Sequence, residues 1–136
     1  MIKPATETDI PAMIELFLTQ HAAMGCAWDV DTDVLAGTLY QAVQSPGAWL
    51  CLTGDDCLLL AACFESQVGA GKVATELCMC ASAGRLDELI DRYEEWARAK
   101  GCRAASLSCD RRFATFERLY RRYGYSPSEM TMSKVL

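Results

Sequence analysis

The chain has 136 residues, 51% of them hydrophobic and 23% charged, the composition of one globular domain spanning residues 1–136. A net charge of −5 and a pI of about 4.8 exclude a general nucleic-acid binder, which carries a basic excess. No apolar run approaches the ~20 residues of a membrane helix and no basic, then apolar leader opens the sequence, so the expectation is a cytoplasmic protein with neither membrane nor nucleic acid among its partners.

Met1 to Ala5 reads as a short first strand. Thr6 or Thr8 can cap the helix that follows, and Pro11 is tolerated in a first turn. Ile10, Met13, Ile14, Phe17 and Leu18 recur at helical spacing, and His21, the one histidine, ends that stripe. A second helix is expected from about Asp31 to Gln44, with Leu35, Leu39, Ala42 and Val43 as its apolar face and Ser45-Pro46-Gly47 as its stop. Ala48 to Thr53 and Cys57 to Val68 form a hairpin about the turn Gly54-Asp55-Asp56. Val73 to Cys80 is the next strand. Gly71-Lys72 is not a phosphate-cradling loop, because that motif needs Gly where Ser66 stands and a hydroxyl residue where Val73 stands.

Leu86, Leu89, Ile90, Tyr93 and Ala97 give the third helix its stripe; Asp87, Glu88 and Asp91 suit its positive end, Arg98 and Lys100 its negative end, and Gly101 its stop. Ala104 to Cys109 reads as a strand, Phe113 to Tyr123 as a fourth helix ended by Gly124, and Tyr125 to Val135 as a last strand or strand pair. Arg111, Arg112, Arg118, Arg121 and Arg122 form a basic patch on an acidic body, either a solvated helix face or a phosphate contact. The order β-α-α-β-β-β-α-β-α-β predicts an α/β sheet with two helices on each side and Leu89, Ile90, Tyr93, Leu107, Phe116 and Leu119 in the core.

That order resembles the GNAT N-acetyltransferase fold, a central mixed, mostly antiparallel sheet flanked by about four helices. Ile2-Lys3-Pro4-Ala5-Thr6 with Asp9-Ile10-Pro11 looks like the first strand and helix entry of that superfamily. Glu94 to Gly101 looks like the end of its third helix, and Leu119-Tyr120-Arg121-Arg122-Tyr123-Gly124-Tyr125 like its fourth helix running into the next strand. Trp96 to Leu136 also resembles small GNAT-like proteins of tailed bacteriophages. Family members hold the CoA pyrophosphate on a loop written Q/R-x-x-G-x-G/A, where glycines let backbone amides approach phosphate at a helix N-terminus. Aligned on Trp96 and Gly101, the first glycine of that loop is Gly84, the Gln/Arg position is Ala81 and the second Gly/Ala is Leu86. Ser82, Ala83 and Gly84 can still present amides, and Arg85 can replace the lost charge. An Asn that helps hold the cofactor in many members falls on Phe113.

The resemblance implies acetyl transfer from acetyl-CoA to a small amine or a protein amino group. Such a reaction needs a base for the amine proton, donors for the oxyanion and an acid for the leaving thiolate. Tyr120 matches the position that often supplies the acid; it also lies on an apolar stripe with Phe113, Phe116 and Tyr123, where a core tyrosine would sit. Glu76 is the candidate base. Strict alternation puts it on one strand face with Ala74, Cys78 and Cys80, small neighbours that would desolvate it and raise its pKa. The oxyanion donor would be the backbone N–H of Met79 or a neighbour. The rival expectation, drawn from the altered loop, is a GNAT-fold binding or assembly protein without catalysis. Neither reading specifies oligomeric state, and a homo-oligomer stays open.

The eight cysteines include no CxxC pair, and most lie in apolar, strand-like runs. Cys78-x-Cys80 lacks a histidine or acid at metal-ligand spacing. Reduced thiols and no metal are therefore expected. Thiol titration in denaturant without reductant should count all eight; fewer than about six, or stoichiometric zinc by metal analysis, contradicts the reading.

Overall fold

The computed structural model describes residues 1–24, 29–82, 84–109, 113–129 and 132–136. Strand β1 (Lys3–Pro4) leads through a 3-10 turn (Glu7–Asp9) into α1 (Ile10–Met24), then α2 (Thr32–Gln44), β2 (Trp49–Gly54), β3 (Cys57–Glu65), β4 (Lys72–Ala81), α3 (Leu86–Ala99), β5 (Cys102–Ser106) and α4 (Phe113–Arg122). The five strands form one sheet in the order β1-β2-β3-β4-β5. The first three pairings are antiparallel, and β5 joins parallel to β4 after the α3 crossover.

Local chemistry sets these boundaries. The Asp9 carboxylate accepts from the Thr6 amide at 2.8 Å and from Lys3 Nζ at 2.6 Å, turning the chain from β1 into α1. Asp31 caps α2 by accepting from the amides of Asp33 and Val34 at 3.0 and 3.1 Å, satisfying donors that have no partner within the helix. Gly101, at φ +76°, takes the left-handed conformation that ends α3 and turns the chain into β5.

Helices α1 and α2 cover one face of the sheet, where Met13, Leu39 and Ala42 pack with Leu58, Leu60 and Cys80. Helices α3 and α4 cover the other, where Leu89, Ile90, Tyr93 and Tyr120 pack with Leu52, Leu59, Ala61 and Met79. Strand β3 is therefore buried on both faces, which is why it reads as an unbroken apolar run rather than an alternating one. Tyr93 is fully buried, and its hydroxyl donates to the Ser106 carbonyl at 2.9 Å, so no polar atom of that side chain is left unsatisfied.

Two expectations need correction. Leu89, Ile90 and Tyr93 are buried as expected, but Leu107, Phe116 and Leu119 are only partly buried at the rim of the same cluster. Leu107 directly follows β5, beyond which the described residues form no further strand. The last strand expected from Tyr125 to Val135 is also absent among the described residues. The Tyr125 amide instead donates to the Tyr120 carbonyl at 3.1 Å, and its ring packs 6.2 Å from that of Tyr120. Pro127 then lacks the donor that a strand ladder needs. Cys26, Ala83, Arg111 and Arg112 lie outside the described residues.

Leu59 is fully buried in β3. Leu59→Ala should lower unfolding stability by about 2–5 kcal/mol in urea titrations, the range for a buried leucine whose cavity closes incompletely.

Candidate active site

The site is made by an irregularity in β4. Leu60 pairs with Cys78 and Ala61 with Glu76, so Leu77 is an extra residue with no partner on β3, a β-bulge that re-phases the strand. Glu76 pairs with Ala61, and Met79 with Leu59; these partners belong to the α3/α4 face. Cys78 and Cys80 pair with Leu60 and Leu58 of the α1/α2 face. The expectation that Glu76 shares a face with Cys78 and Cys80 is thus overturned, because unbroken alternation does not survive the bulge.

Strand β4 also parts from β5. Their parallel pairing runs from Lys72 with Cys102 to Thr75 with Ser106 and stops. From Glu76 to Ala81 the edge of β4 that faced β5 has no strand partner among the described residues. The Met79 carbonyl accepts from Gln20 Nε2 of α1 at 3.2 Å. The N–H and C=O of one strand residue point to the same edge, so the Met79 amide is also directed to this opening. A cavity of about 600 Å³ lies there, walled by Gln20 and His21 of α1, by the bulged half of β4, and by Phe116 and Tyr120 of α4.

Glu76 is 7% exposed. Ser108 Oγ donates to its carboxylate at 2.7 Å, and the Ser108 amide donates as well. Burial raises the Glu76 pKa from 4.5 to about 7, against the opposing pull of the two Ser108 bonds. Desolvation of the charged form outweighs hydrogen bonding to it. The Tyr120 hydroxyl donates to the carbonyl of the same Ser108 at 3.0 Å, and the Tyr120 ring lies 5.8 Å from Phe116. One residue therefore brings the two sequence-identified candidates together. Ser108 itself was not legible in advance, being 32 residues from Glu76 and 12 from Tyr120. His21, read from sequence as the end of a helix stripe, stacks 5.8 Å from Phe17 and borders the cavity.

No protein-family model matches the chain, and neither does any curated protein sequence. Solved structures do match over its whole length. A tetramutant of the BH1408 protein from Bacillus halodurans superposes with a TM-score of 0.78 at 17% identity, over 100% of this chain and 99% of that one. A predicted acetyltransferase with acetyl-CoA from Clostridium acetobutylicum gives 0.76 at 12% identity, over 99% and 95%. Glucosamine-6-phosphate N-acetyltransferase from Arabidopsis thaliana gives 0.73 at 13% identity, over 99% and 97%. The fold is that of the GNAT acetyltransferases.

The segment aligned with the GNAT phosphate loop departs from that pattern in structure as well as sequence. Ser82 Oγ donates to the Asp56 carboxylate, which reaches across from the β2–β3 turn. Arg85 Nε lies 3.5 Å from the same carboxylate, and its Nη1 lies 3.5 Å from Glu88. Asp87 accepts from the Tyr123 hydroxyl at 3.0 Å and lies 3.8 Å from Arg122. Gly84, at φ +89°, has open space where a Cβ would stand, and no side chain caps the first turn of α3. The Arg85 amide donates to the Ser82 carbonyl at 3.2 Å, and the Arg85 guanidinium, the charge expected to help a phosphate, faces Asp56 together with the Ser82 hydroxyl.

The Cys78 and Cys80 sulfurs lie 3.7 Å apart. Sharing that contact, together with burial, pushes the Cys78 thiol well above its ordinary pKa, which keeps it protonated and a poor nucleophile. No group of metal-ligating side chains occurs among the described residues, and no two of the seven described cysteines are joined by a disulfide.

Because the folded Glu76 binds its proton more tightly than the unfolded one, its stability contribution is present below pH 4.5 and is lost as pH rises through about 7. Glu76→Gln should remove this loss. In urea titrations at about pH 8.5 the variant should exceed the parent by up to about 3 kcal/mol, with the difference vanishing near pH 4.

Proposed function

We propose that the protein transfers an acyl group from a thioester to the nitrogen of an amine. The observation that carries this reading is the opening between β4 and β5, bordered by a buried carboxylate whose pKa is about 7. A group titrating there is substantially ionised at neutral pH and still basic enough to accept a proton. Glu76 takes the proton that the attacking amine loses as its nitrogen bonds to the acyl carbon. The Tyr120 hydroxyl, turning from the Ser108 carbonyl, gives its proton to sulfur as the carbon–sulfur bond breaks, and regains one from solvent. The Met79 amide, on the edge of β4 beyond its pairing with β5, would receive the developing oxyanion.

The donor that the fold implies is acetyl-CoA, and support for it is divided. The β4 edge and the cavity suit the thioester end. Ser82, Gly84 and Arg85, with Ala83 outside the described residues, would meet the diphosphate end, where Asp56 engages two of these side chains. The acceptor class is a small amine or a protein amino group; the Arabidopsis neighbour is named for an amino sugar. The Asp56 contacts also favour a second reading, a binding or assembly module that keeps the fold and binds no thioester.

Turnover and ligand melts separate the two. A bound thioester at about a hundredfold excess over its dissociation constant should stabilise the protein by about 2.7 kcal/mol. Tyr120→Phe should keep that shift yet slow turnover about a hundredfold. The parent kcat/KM should rise with pH through about 7 as Glu76 ionises, and Glu76→Gln should abolish this inflection. Flat melts with every thioester tested would leave the binding module as the function.

A further inference from the structure

We propose that this site recognises its donor through the acyl-pantetheine end alone and gains nothing from a nucleotide diphosphate, so that its substrate class is the acyl-pantetheine thioester. This rests on the acyl-transfer reading above and specifies its donor.

The argument compares the two ends of the groove. At the reacting end, the unpaired edge of β4 offers amides of the type an extended pantetheine arm can pair with in the manner of an added strand. The cavity of about 600 Å³ beside it falls within the size range of small-molecule sites. At the far end, three carboxylates surround the N-terminus of α3: Asp56 from the β2–β3 turn, and Asp87 and Glu88 from the first turn. Two arginines and the Met1 α-amino group face them among the described residues, and each is already beside an acid: Arg85 beside Asp56 and Glu88, Arg122 beside Asp87, and the Met1 ammonium acting on Asp56. The cations named are thus already engaged by these carboxylates, and a diphosphate adds further negative charge.

The helix end does not reverse this balance. Its positive potential favours acidic residues in the first turn, and Asp87 and Glu88 already occupy that turn. An arriving diphosphate must displace Asp56 from both Ser82 and Arg85 and then remain beside it. Exposed ion pairs are weak, so the exchange is feasible, but it replaces one anion by another and recruits no cation beyond those named among the described residues. The amides near Gly84 are left as attraction against three like charges.

Calorimetric titration of the whole chain with S-acetylpantetheine, S-acetyl-4′-phosphopantetheine and acetyl-CoA tests the proposal directly. The expected result is that all three bind within about threefold of one another, or more weakly as phosphates are added, since surface charges of this kind each alter affinity only modestly. A variant carrying Asp56→Asn, Asp87→Asn and Glu88→Gln should tighten acetyl-CoA about tenfold while leaving S-acetylpantetheine unchanged. If that variant does not fold, the three-donor series on the parent protein still decides the matter. Acetyl-CoA binding more than about tenfold tighter than S-acetylpantetheine overturns the inference and leaves acyl transfer standing. Failure of all three donors to bind overturns acyl transfer itself, and the donor assignment with it.

Discussion

The site depends on β4 meeting two incompatible demands. It is ten residues long, and β3 lies beside it from Lys72 to Ala81, whereas β5 accompanies it only to Thr75. The extra residue, Leu77, falls just past that point of separation. One inserted residue thus has two effects. It exchanges the faces of every residue after it, which separates Glu76 from the thiols of Cys78 and Cys80. It also increases local twist, as bulges do, at the place where the strand leaves its parallel neighbour. A strand paired on both edges could offer no amide to a ligand; this one offers its second half.

Ser108 ties together the polar groups that border the opening. Its amide and hydroxyl meet Glu76, and its carbonyl receives Tyr120. A buried carboxylate with no donors would stay protonated far above neutrality, and a well-solvated one would ionise far below it. Two donors against this burial leave Glu76 near 7, between these limits. The geometry therefore tunes proton affinity by partial compensation, and a change in either burial or Ser108 moves it.

Much of the fold was legible because its signals are local. The stripe Leu89-Ile90-Tyr93-Ala97 repeats at the helical period, Asp31 stands where a cap belongs, and the apolar run of β3 lies between turn residues. Glu76 and Tyr120 could be singled out as a lone carboxylate in an apolar strand and as a tyrosine at a position shared with GNAT proteins. What the sequence concealed is non-local. A bulge leaves no mark in a period of two, because Leu77 looks like any alternating apolar residue. The hold of Asp56 on Ser82 spans 26 residues, and the hydroxyl of Ser108 finds Glu76 only once α3 has returned the chain to the sheet. Tyr125 resembles the start of a strand in composition, yet the aromatic surface of α4 competes for it and takes it.

Two tyrosines bear on how that opening behaves before a ligand arrives. Tyr93 of α3 bonds the carbonyl of Ser106, the last residue of β5, and Tyr120 of α4 bonds the carbonyl of Ser108 just beyond it. The backbone acceptors at the point of divergence are thus satisfied from the helix layer, and the β5 side has little reason to close back upon β4. Such a wedge stands open at rest. Association then involves displacing solvent rather than waiting for strands to separate, so encounter kinetics should resemble those of a preformed cleft instead of a gated one.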